Sequence, residues 1–160
     1  MQPSSENQPA FFCDAMLGGL ARWLRAAGYD AEFEHGIDDS VIVAAALETG
    51  RILLSSDGPM FERKVIRDGQ VKALFLPRQL NRLEQLAYVV DKLSLKRRPP
   101  RCMACAGELQ ELPKHSVAAE APPLAYRSCD RFFRCKRCDK LLWRGTHWVE
   151  IDARLNEILK

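Results

Sequence analysis

The chain has 160 residues and a net charge of +3, and it is long enough for one ordinary core plus a small second module. Its hydrophobic fraction of 47% and charged fraction of 28% are typical of a water-soluble globular protein, and no apolar run approaches the ~20 residues that a membrane-spanning helix needs. The polar start MQPSSENQPA lacks the basic and apolar regions of a secretory signal peptide, so we expect a cytoplasmic protein with no membrane partner.

Residues 10–95 show predicted strands that alternate with predicted helices. Short apolar or alternating runs indicate the strands PAFFC, DAEFEH, RILLSS and VKALFLP. Apolar residues at helical spacing, or helix-ending glycines, indicate the helices MLGGLARWLRAAG, SVIVAAALETG, a segment between Pro59 and Gly69, and QLNRLEQLAYVVDKLSL. This order predicts βαβ units, and therefore an α/β fold with a mainly parallel sheet and right-handed crossovers.

A second module is predicted after the segment KRRPPR at residues 96–101, because two prolines prevent the preceding helix from continuing. Beyond it the pattern changes to cysteine pairs, short strands and a final helix in WVEIDARLNEILK. The predicted domains are therefore residues 10–95 and residues 101–160.

Acidic residues stand where the predicted strands end. Asp14 follows the first strand, Asp57 follows the third, and Asp38 and Asp39 lie in the turn that enters the second helix. Since the carboxyl ends of parallel strands meet at one edge of a sheet, the pattern gathers these carboxylates there. Each acid also precedes a helix, where Asp is a favourable N-cap, so capping alone is the competing interpretation. Like charges without a cation repel one another, and neutral serines stand beside two of the sites, so a metal site stays open as well.

Hard carboxylate oxygens select Mg²⁺ or Mn²⁺, and the matching chemistry is metal-assisted attack of water on a phosphodiester. Two other acidic α/β folds fit less well. A receiver domain has an acidic pair after its first strand, whereas Cys13 precedes Asp14 here. An aspartyl-phosphate phosphatase has Asp-x-Asp, whereas residues 14–16 are Asp-Ala-Met.

Two C-x2-C pairs, CMAC and CKRC, predict a structural Zn²⁺ site. Four thiolates on two tight turns are a common tetrahedral zinc site with no open position for catalysis, and disulfides or redox chemistry are the alternative. The predicted ligands are Cys102, Cys105, Cys135 and Cys138. Of the remaining cysteines, Cys13 is predicted to be a buried strand residue and Cys129 a loop residue.

The second module is basic, with 14 Lys and Arg against 8 Asp and Glu in residues 96–160, while residues 1–95 have 10 against 13. Such an excess favours contact with a polyanion, and a solvated basic surface is the alternative. Around the second cysteine pair, basic residues alternate with aromatic ones, as in surfaces that bind single-stranded nucleic acid, although a small module also needs aromatics for its own core. The predicted phosphate contacts are Arg134, Lys136, Arg137 and Arg144. His147 is predicted to be structural, with a role as general acid as the alternative. Arg22 and Arg25 are predicted to be helix-face residues, with phosphate contact as the alternative.

Several motifs together resemble the Mut-seven C-terminal RNase domain family, a PIN-like group. The motifs are, in order, FFCDAMLGGLARWLRAAGYD, the acid Asp39, GRILLSSD, EQL, RC-x2-C, F-x-C-x2-C and WRGTHW, so the resemblance covers roughly residues 11–150. It implies a PIN-like three-layer α/β fold with a C-terminal zinc ribbon and metal-dependent ribonuclease activity on RNA. The basic and aromatic composition around the second cysteine pair favours single-stranded RNA.

By position, Asp14 and Asp39 match family acids that follow the first strand and open the second helix. Asp57 matches the acid of a Thr-Arg-Asp motif, which here is Ser55-Ser56-Asp57 and lacks the basic residue. PIN-like sites often have a fourth acid, and none follows Asp57 closely, so Asp38 is its candidate substitute.

The predicted function is hydrolysis of RNA phosphodiester bonds that depends on Mg²⁺ or Mn²⁺, with Asp14, Asp39 and Asp57 as catalytic metal ligands. The alternative is a non-catalytic module, built on the zinc ribbon, that binds nucleic acid or protein, with the carboxylates acting only as caps. A toxin-like RNA-cleaving enzyme is a further hypothesis. The first two differ in metal response, because only a true metal site gains stability from Mg²⁺ or Mn²⁺.

Overall fold

The computed structural model describes residues 8–159, so most of the polar N-terminal segment and Lys160 lie outside the described residues. The first module contains a four-stranded sheet. Its strands are β1 (Phe11–Cys13), β2 (Ala31–Phe33), β3 (Ile52–Ser55) and β4 (Ala73–Phe75). They lie in the order β2-β1-β3-β4, and every neighbouring pair is parallel. The predicted α/β class with a mainly parallel sheet is therefore confirmed.

Helices cover both faces of this sheet. They are α1 (Gly18–Ala26), α2 (Asp39–Thr49), α3 (Lys64–Arg67) and α4 (Arg82–Leu93), with a 3₁₀ helix at Gly58–Glu62. Successive strand residues point to opposite faces, so Phe11 packs with α1 and α4 while Phe12 packs with α2. The neighbouring strand β3 follows the same register. Its Leu54 lies in the core with α1 and α4, and its Leu53 lies beside Phe12 in the core with α2. The result is three layers with a separate core on each side of the sheet.

The second module contains a small antiparallel sheet in the order β5-β6-β7, and this sheet with its two cysteine turns is called the ribbon. Its strands are β5 (Leu109–Leu112), β6 (Phe132–Cys135) and β7 (Leu141–Trp143). A 3₁₀ helix at Lys114–Val117 and helix α5 (Pro123–Ser128) connect β5 to β6 and were not predicted from the sequence. Phe132 lies at the centre of a compact core between these elements and the sheet.

The last helix, α6 (Thr146–Ile158), packs on the first module. Its buried residues Ile151 and Leu155, with Leu159 just beyond the helix, belong to the same core as α1 and α4. The final helix therefore begins two residues earlier than the predicted segment and connects the ribbon back to the parallel sheet.

The segment between the modules lies against the C-terminal end of α1. The Arg98 backbone N–H donates to the Ala27 carbonyl at 3.0 Å, and the Tyr29 hydroxyl donates to the Lys96 carbonyl at 2.7 Å. Gly28 permits this contact, because its φ is 103° and an added Cβ would lie 2.4 Å from the Arg98 Cβ. Within residues 8–159, no helix is both long enough and apolar enough to cross a membrane.

Candidate functional site

The three predicted acids lie at the carboxyl edge of the parallel sheet. Asp14 directly follows β1, Asp57 stands two residues after β3, and Asp39 is the first residue of α2, which follows β2. Because β2, β1 and β3 are adjacent and parallel, the chain leaves all three at the same edge. The topology thus brings together residues that are up to 43 positions apart in the sequence.

Asp14 is the most buried of the three, with 4% of its surface exposed. Its Oδ1 accepts a hydrogen bond of 2.9 Å from the Met16 backbone N–H, and its Oδ2 accepts one from the Ser55 hydroxyl. The Ser55 oxygen in turn accepts a 3.0 Å hydrogen bond from the Asp57 backbone N–H. Ser55 therefore connects Asp14 to the loop that holds Asp57.

Asp39 and Asp57 lie close to each other and are more open to solvent. Partial burial raises the pKa of Asp39, and hydrogen bonding and charge repulsion from Asp57 raise it further, with a smaller contribution from Asp14. The positive charge of Arg63 partly opposes this effect. A raised carboxyl pKa beside a second carboxylate indicates a concentration of negative charge at this edge.

The structure offers little support for the capping interpretation. Asp38 is the N-cap of α2 and Asp57 is the N-cap of the 3₁₀ helix, yet neither side chain accepts a capping hydrogen bond. The Asp14 carboxylate accepts from Met16, ahead of the Leu17 N-cap of α1. In the described part of the chain, none of Asp14, Asp39 and Asp57 has a Lys, Arg or His nitrogen within 4.0 Å.

The donor set at this edge suits a hard divalent cation, since it consists of carboxylate oxygens to which no basic side chain of residues 8–159 is paired. The three acids are less tightly grouped than the cysteines of the ribbon. Among residues 8–159, the cysteines are the only group of three or more His, Cys, Asp or Glu residues whose ligand atoms all lie within 4.8 Å of one another.

The four paired cysteines meet at one end of the ribbon. They are Cys102, Cys105, Cys135 and Cys138. All are free thiols, and the Sγ atoms of Cys105 and Cys135 are 3.4 Å apart while those of Cys102 and Cys138 are 3.8 Å apart. Four cysteine sulfurs at these separations can hold a tetrahedral Zn²⁺ ion, which agrees with the predicted ligand set.

The two cysteine turns have the same backbone construction. The residue after each pair, Ala106 or Asp139, has a positive φ, and its N–H donates to the carbonyl of the first cysteine of that pair. Backbone N–H groups also point at sulfur, as from Arg137 to Cys135 at 3.3 Å. Burial alone would raise the pKa of Cys135, but the N–H groups of Cys138 and Arg137, together with the Cys105 and Cys138 side chains, outweigh it and lower the pKa to about 7. Such donors stabilise a thiolate, the form that binds zinc.

The four predicted phosphate contacts all have partners within the protein. Arg134 forms hydrogen bonds of 2.8 and 2.6 Å with Glu120, Lys136 lies 3.5 Å from Glu108, Arg137 contacts Asp30 and the Cys105 carbonyl, and the Arg144 guanidinium lies over Phe133 and Trp148. Their role in RNA binding stays a prediction, and any phosphate would compete with these internal contacts.

Other residues that the sequence singled out have clear positions. Arg25 is buried and structural, because it donates to the Ala31 carbonyl and, at 2.8 Å, to the Met103 carbonyl of the second module. Arg22 and His147 are exposed. Burial raises the pKa of Cys13 to about 12, so this strand residue is an unreactive thiol.

Cys129 lies in the ribbon core, immediately after α5, away from the cysteine cluster. Ser55 was not predicted as a site residue, although its position at the end of β3, two residues before Asp57, is the signal that could have identified it.

Comparison with known proteins agrees with the geometry. The family model described as the Mut7-C RNAse domain matches residues 9–155, which is nearly the whole chain. The match includes the parallel sheet, the cysteine cluster and most of α6. It also includes Asp14, Asp39 and Asp57 at the carboxyl edge of the sheet, which is called the acidic edge. A search of curated proteins gives no match. The family description indicates a nuclease-like function with an RNA substrate, and the chain belongs to the Mut7-C RNAse domain family.

Proposed function

We propose that the protein is a cytoplasmic ribonuclease that hydrolyses phosphodiester bonds of single-stranded RNA and requires Mg²⁺ or Mn²⁺. Asp14, Asp39 and Asp57 are the proposed metal ligands and catalytic residues. The family match supports RNA as the substrate class, and the acidic edge supports a metal-dependent reaction.

The main observation behind this proposal is that three carboxylates share one sheet edge and that, in the described part of the chain, none has an ion-pair partner within 4.0 Å. Two of them are close enough for Asp57 to raise the pKa of Asp39. Like charges held this close are unfavourable for folding unless a cation offsets them, so the arrangement is better explained by a divalent metal than by helix capping.

The three acids have different local roles in this proposal. Asp14 is fixed by the Ser55 hydroxyl and the Met16 N–H, which leaves its remaining lone pairs directed away from these donors. Asp39 is exposed and Asp57 is partly exposed, so a phosphodiester can reach them from solvent. When bound, Mg²⁺ or Mn²⁺ supplies activation of water and stabilisation of the charge that develops on the phosphate.

Zinc has a structural role in the proposal. The four cysteines provide a complete tetrahedral ligand set, so the ribbon end is closed to catalysis. Bound zinc would hold the two cysteine turns together and keep β5 and β6 in register.

The test is a cleavage assay of zinc-loaded protein on labelled single-stranded RNA with Mg²⁺, with Mn²⁺ and without either metal. We expect cleavage only with added metal, and a loss in Asp57→Asn larger than the roughly 10- to 100-fold typical of losing an outer partner of a metal site. Asp68→Asn is the matched control, because it makes the same change at an exposed Asp that is the C-cap of α3.

Equal cleavage by wild type and Asp57→Asn would point to a contaminating nuclease. If no metal supports cleavage, and neither Mg²⁺ nor Mn²⁺ raises the melting temperature of the wild type, the nuclease proposal is wrong. Salt-dependent RNA binding without cleavage would then favour the non-catalytic binding module.

A further inference from the structure

A basic and aromatic groove lies between the two modules. A cavity of about 560 Å³ runs between α1, the first turn of α4 and the start of α6, and its volume is in the range of small-ligand sites, roughly 300–1,000 Å³. Its chemically active lining residues are Arg22, Trp23, Arg82, His147, Trp148 and Arg154. Such a mixture of arginine and tryptophan is typical of surfaces that bind single-stranded nucleic acid.

The groove continues to the acidic edge. A second cavity of about 870 Å³ shares Gly19, Trp23, Arg82 and Leu83 with the first and extends to Ala15 and Met16. These two residues directly follow Asp14, and the Met16 N–H is bonded to the Asp14 carboxylate. One continuous surface therefore leads from α6 to Ala15 and Met16, in the turn that follows the buried Asp14.

Two glycines at the start of α1 shape this surface. A Cβ on Gly19 would lie 2.5 Å from the Arg82 Cδ, and a Cβ on Gly18 would lie 2.8 Å from the Phe33 ring. The absence of a side chain at Gly19 leaves room for Arg82, which lines both cavities, while Gly18 leaves room for the Phe33 ring.

The arginines of the groove are more available than those of the ribbon. Within residues 8–159, Arg22 and Arg82 have no ion-pair partner within 4.0 Å, and Arg154 is 3.6 Å from Glu157 on its own helix. Among the described residues that line the cavity near α6, Glu150 is the one acid, so positive charge predominates there.

Trp148 has a supporting contact from the ribbon. The Arg144 guanidinium lies 5.6 Å from the centre of the Trp148 ring, while the same ring lines the groove. Trp148 also packs against the core of α1 and α4, and the part of its ring that lines the groove can stack on a base.

We propose that this groove, and not the basic face of the ribbon, is the principal binding track for the single-stranded RNA that enters the acidic edge. Arg22 and Arg82 contact phosphates, and Trp23 and Trp148 offer rings to the bases. The inference rests on the proposed ribonuclease function for its choice of RNA, but it concerns binding and is tested without cleavage.

The experiment measures fluorescence anisotropy of a labelled oligouridylate of about 12 nucleotides, within the site sizes typical of single-strand binders, with zinc-loaded protein and no Mg²⁺ or Mn²⁺. We expect Arg22→Glu with Arg82→Glu to weaken binding about tenfold or more, and to reduce the slope of log affinity against log salt by about 1.4 if two phosphate contacts are lost. Arg22→Lys with Arg82→Lys keeps both charges and should retain most of the affinity.

The matched control is Arg67→Glu with Arg127→Glu, which changes the charge equally at two exposed positions outside the groove. Equal losses in both glutamate pairs, an unchanged affinity in the groove pair, or no RNA binding by the wild type would each overturn the inference. If RNA binds in the groove, no metal supports cleavage and neither Mg²⁺ nor Mn²⁺ raises the melting temperature, the nuclease proposal is wrong and the inference is kept. Metal-dependent cleavage with unchanged RNA affinity in Arg22→Glu with Arg82→Glu would keep the nuclease proposal and overturn the inference.

Discussion

The Ser55 hydroxyl connects Asp14 to Asp57 at the acidic edge of the sheet. It is fully buried, donates to the Asp14 carboxylate and accepts from the Asp57 N–H, so one oxygen atom sets the position of two proposed metal ligands. An alanine at this position would leave a buried carboxylate oxygen and a backbone N–H without these partners. Losing one partner of a buried hydrogen bond costs about 1–3 kcal/mol.

We therefore predict that Ser55→Ala lowers the free energy of unfolding by about 1–3 kcal/mol and weakens Mn²⁺ binding about 10- to 100-fold. Urea denaturation and Mn²⁺ titration measure the two effects. Ser56→Ala is the control, since Ser56 is adjacent and contributes only its carbonyl, which accepts from Arg78. Equal Mn²⁺ affinities in Ser55→Ala and wild type would contradict a role for Ser55 in positioning Asp14.

At the residue scale, the sequence predicted which acids reach the edge but not what surrounds them. The positions of Asp14, Asp39 and Asp57 after strands are visible as a local pattern. The bond from Ser55 to Asp14 joins residues 41 positions apart, and the contact of Arg82 with Gly19 joins α4 to α1. Such contacts depend on how elements pack, and no periodicity or spacing in the sequence encodes them.

At the element scale, the βαβ pattern was predictable because each strand and most helices have their own apolar periodicity. The segment after β3 shows the limit. It was expected as one helix, but Arg63 adopts an extended conformation and divides it into a 3₁₀ helix and the four-residue α3. Helix α5 has no buried residue, so it lacks the apolar stripe on which such predictions depend.

The close approach of the two cysteine turns depends on a glycine between them in space. A Cβ on Gly107 would lie 2.6 Å from the Cys135 Sγ and 2.7 Å from the Arg137 Cβ, so the turns can approach only because this residue has no side chain. We predict that Gly107→Ala separates the turns and weakens zinc binding by about tenfold or more, as expected for a distorted ligand shell.

Zinc release to a chromophoric chelator measures this effect. Gly58→Ala is the control, because a Cβ there would meet nothing within 4 Å and Gly58 lies outside the ribbon. If Gly107→Ala and Gly58→Ala release zinc at the wild-type rate, the cysteine turns tolerate more separation than their close contact indicates.

At the scale of the whole molecule, charge pairs join the cysteine cluster to the parallel sheet. Asp30 lies just before β2, and its Oδ2 forms two ion pairs. The Arg51 Nη2 of the same module is 3.0 Å away, and the Arg137 Nη2 of the ribbon is 3.4 Å away. Arg101, from the connecting segment, lies 4.0 Å away. The prolines of residues 96–101 predicted a boundary between modules. The docking itself depends on these long-range pairs and on the packing of α6 against α1 and α4, and neither leaves a local signal in the sequence.

We predict a favourable coupling between Asp30 and Arg137, measured by a double-mutant cycle of Asp30→Asn and Arg137→Gln in zinc-loaded protein. Asp30 is largely buried while Arg137 is half exposed, so the coupling should be about 0.5–1 kcal/mol, near the upper end for exposed pairs. The control is the pair of Arg131 and Glu111, which lies within the ribbon and is more exposed on both sides, and we expect a smaller coupling there.

The pH dependence of this coupling has a definite sign. Burial alone would raise the pKa of Asp30, but Arg51 and Arg137 outweigh it and lower the pKa below the ordinary value of 3.8. A carboxyl group with a lowered pKa contributes its full stability above the ordinary value and loses that contribution as the pH falls through the folded-state pKa. The coupling should therefore be equal at pH 7 and pH 5, where Asp30 stays ionised in both states. A coupling near zero at pH 7, or one that declines between pH 7 and pH 5, would mean that other contacts hold the ribbon against the parallel sheet.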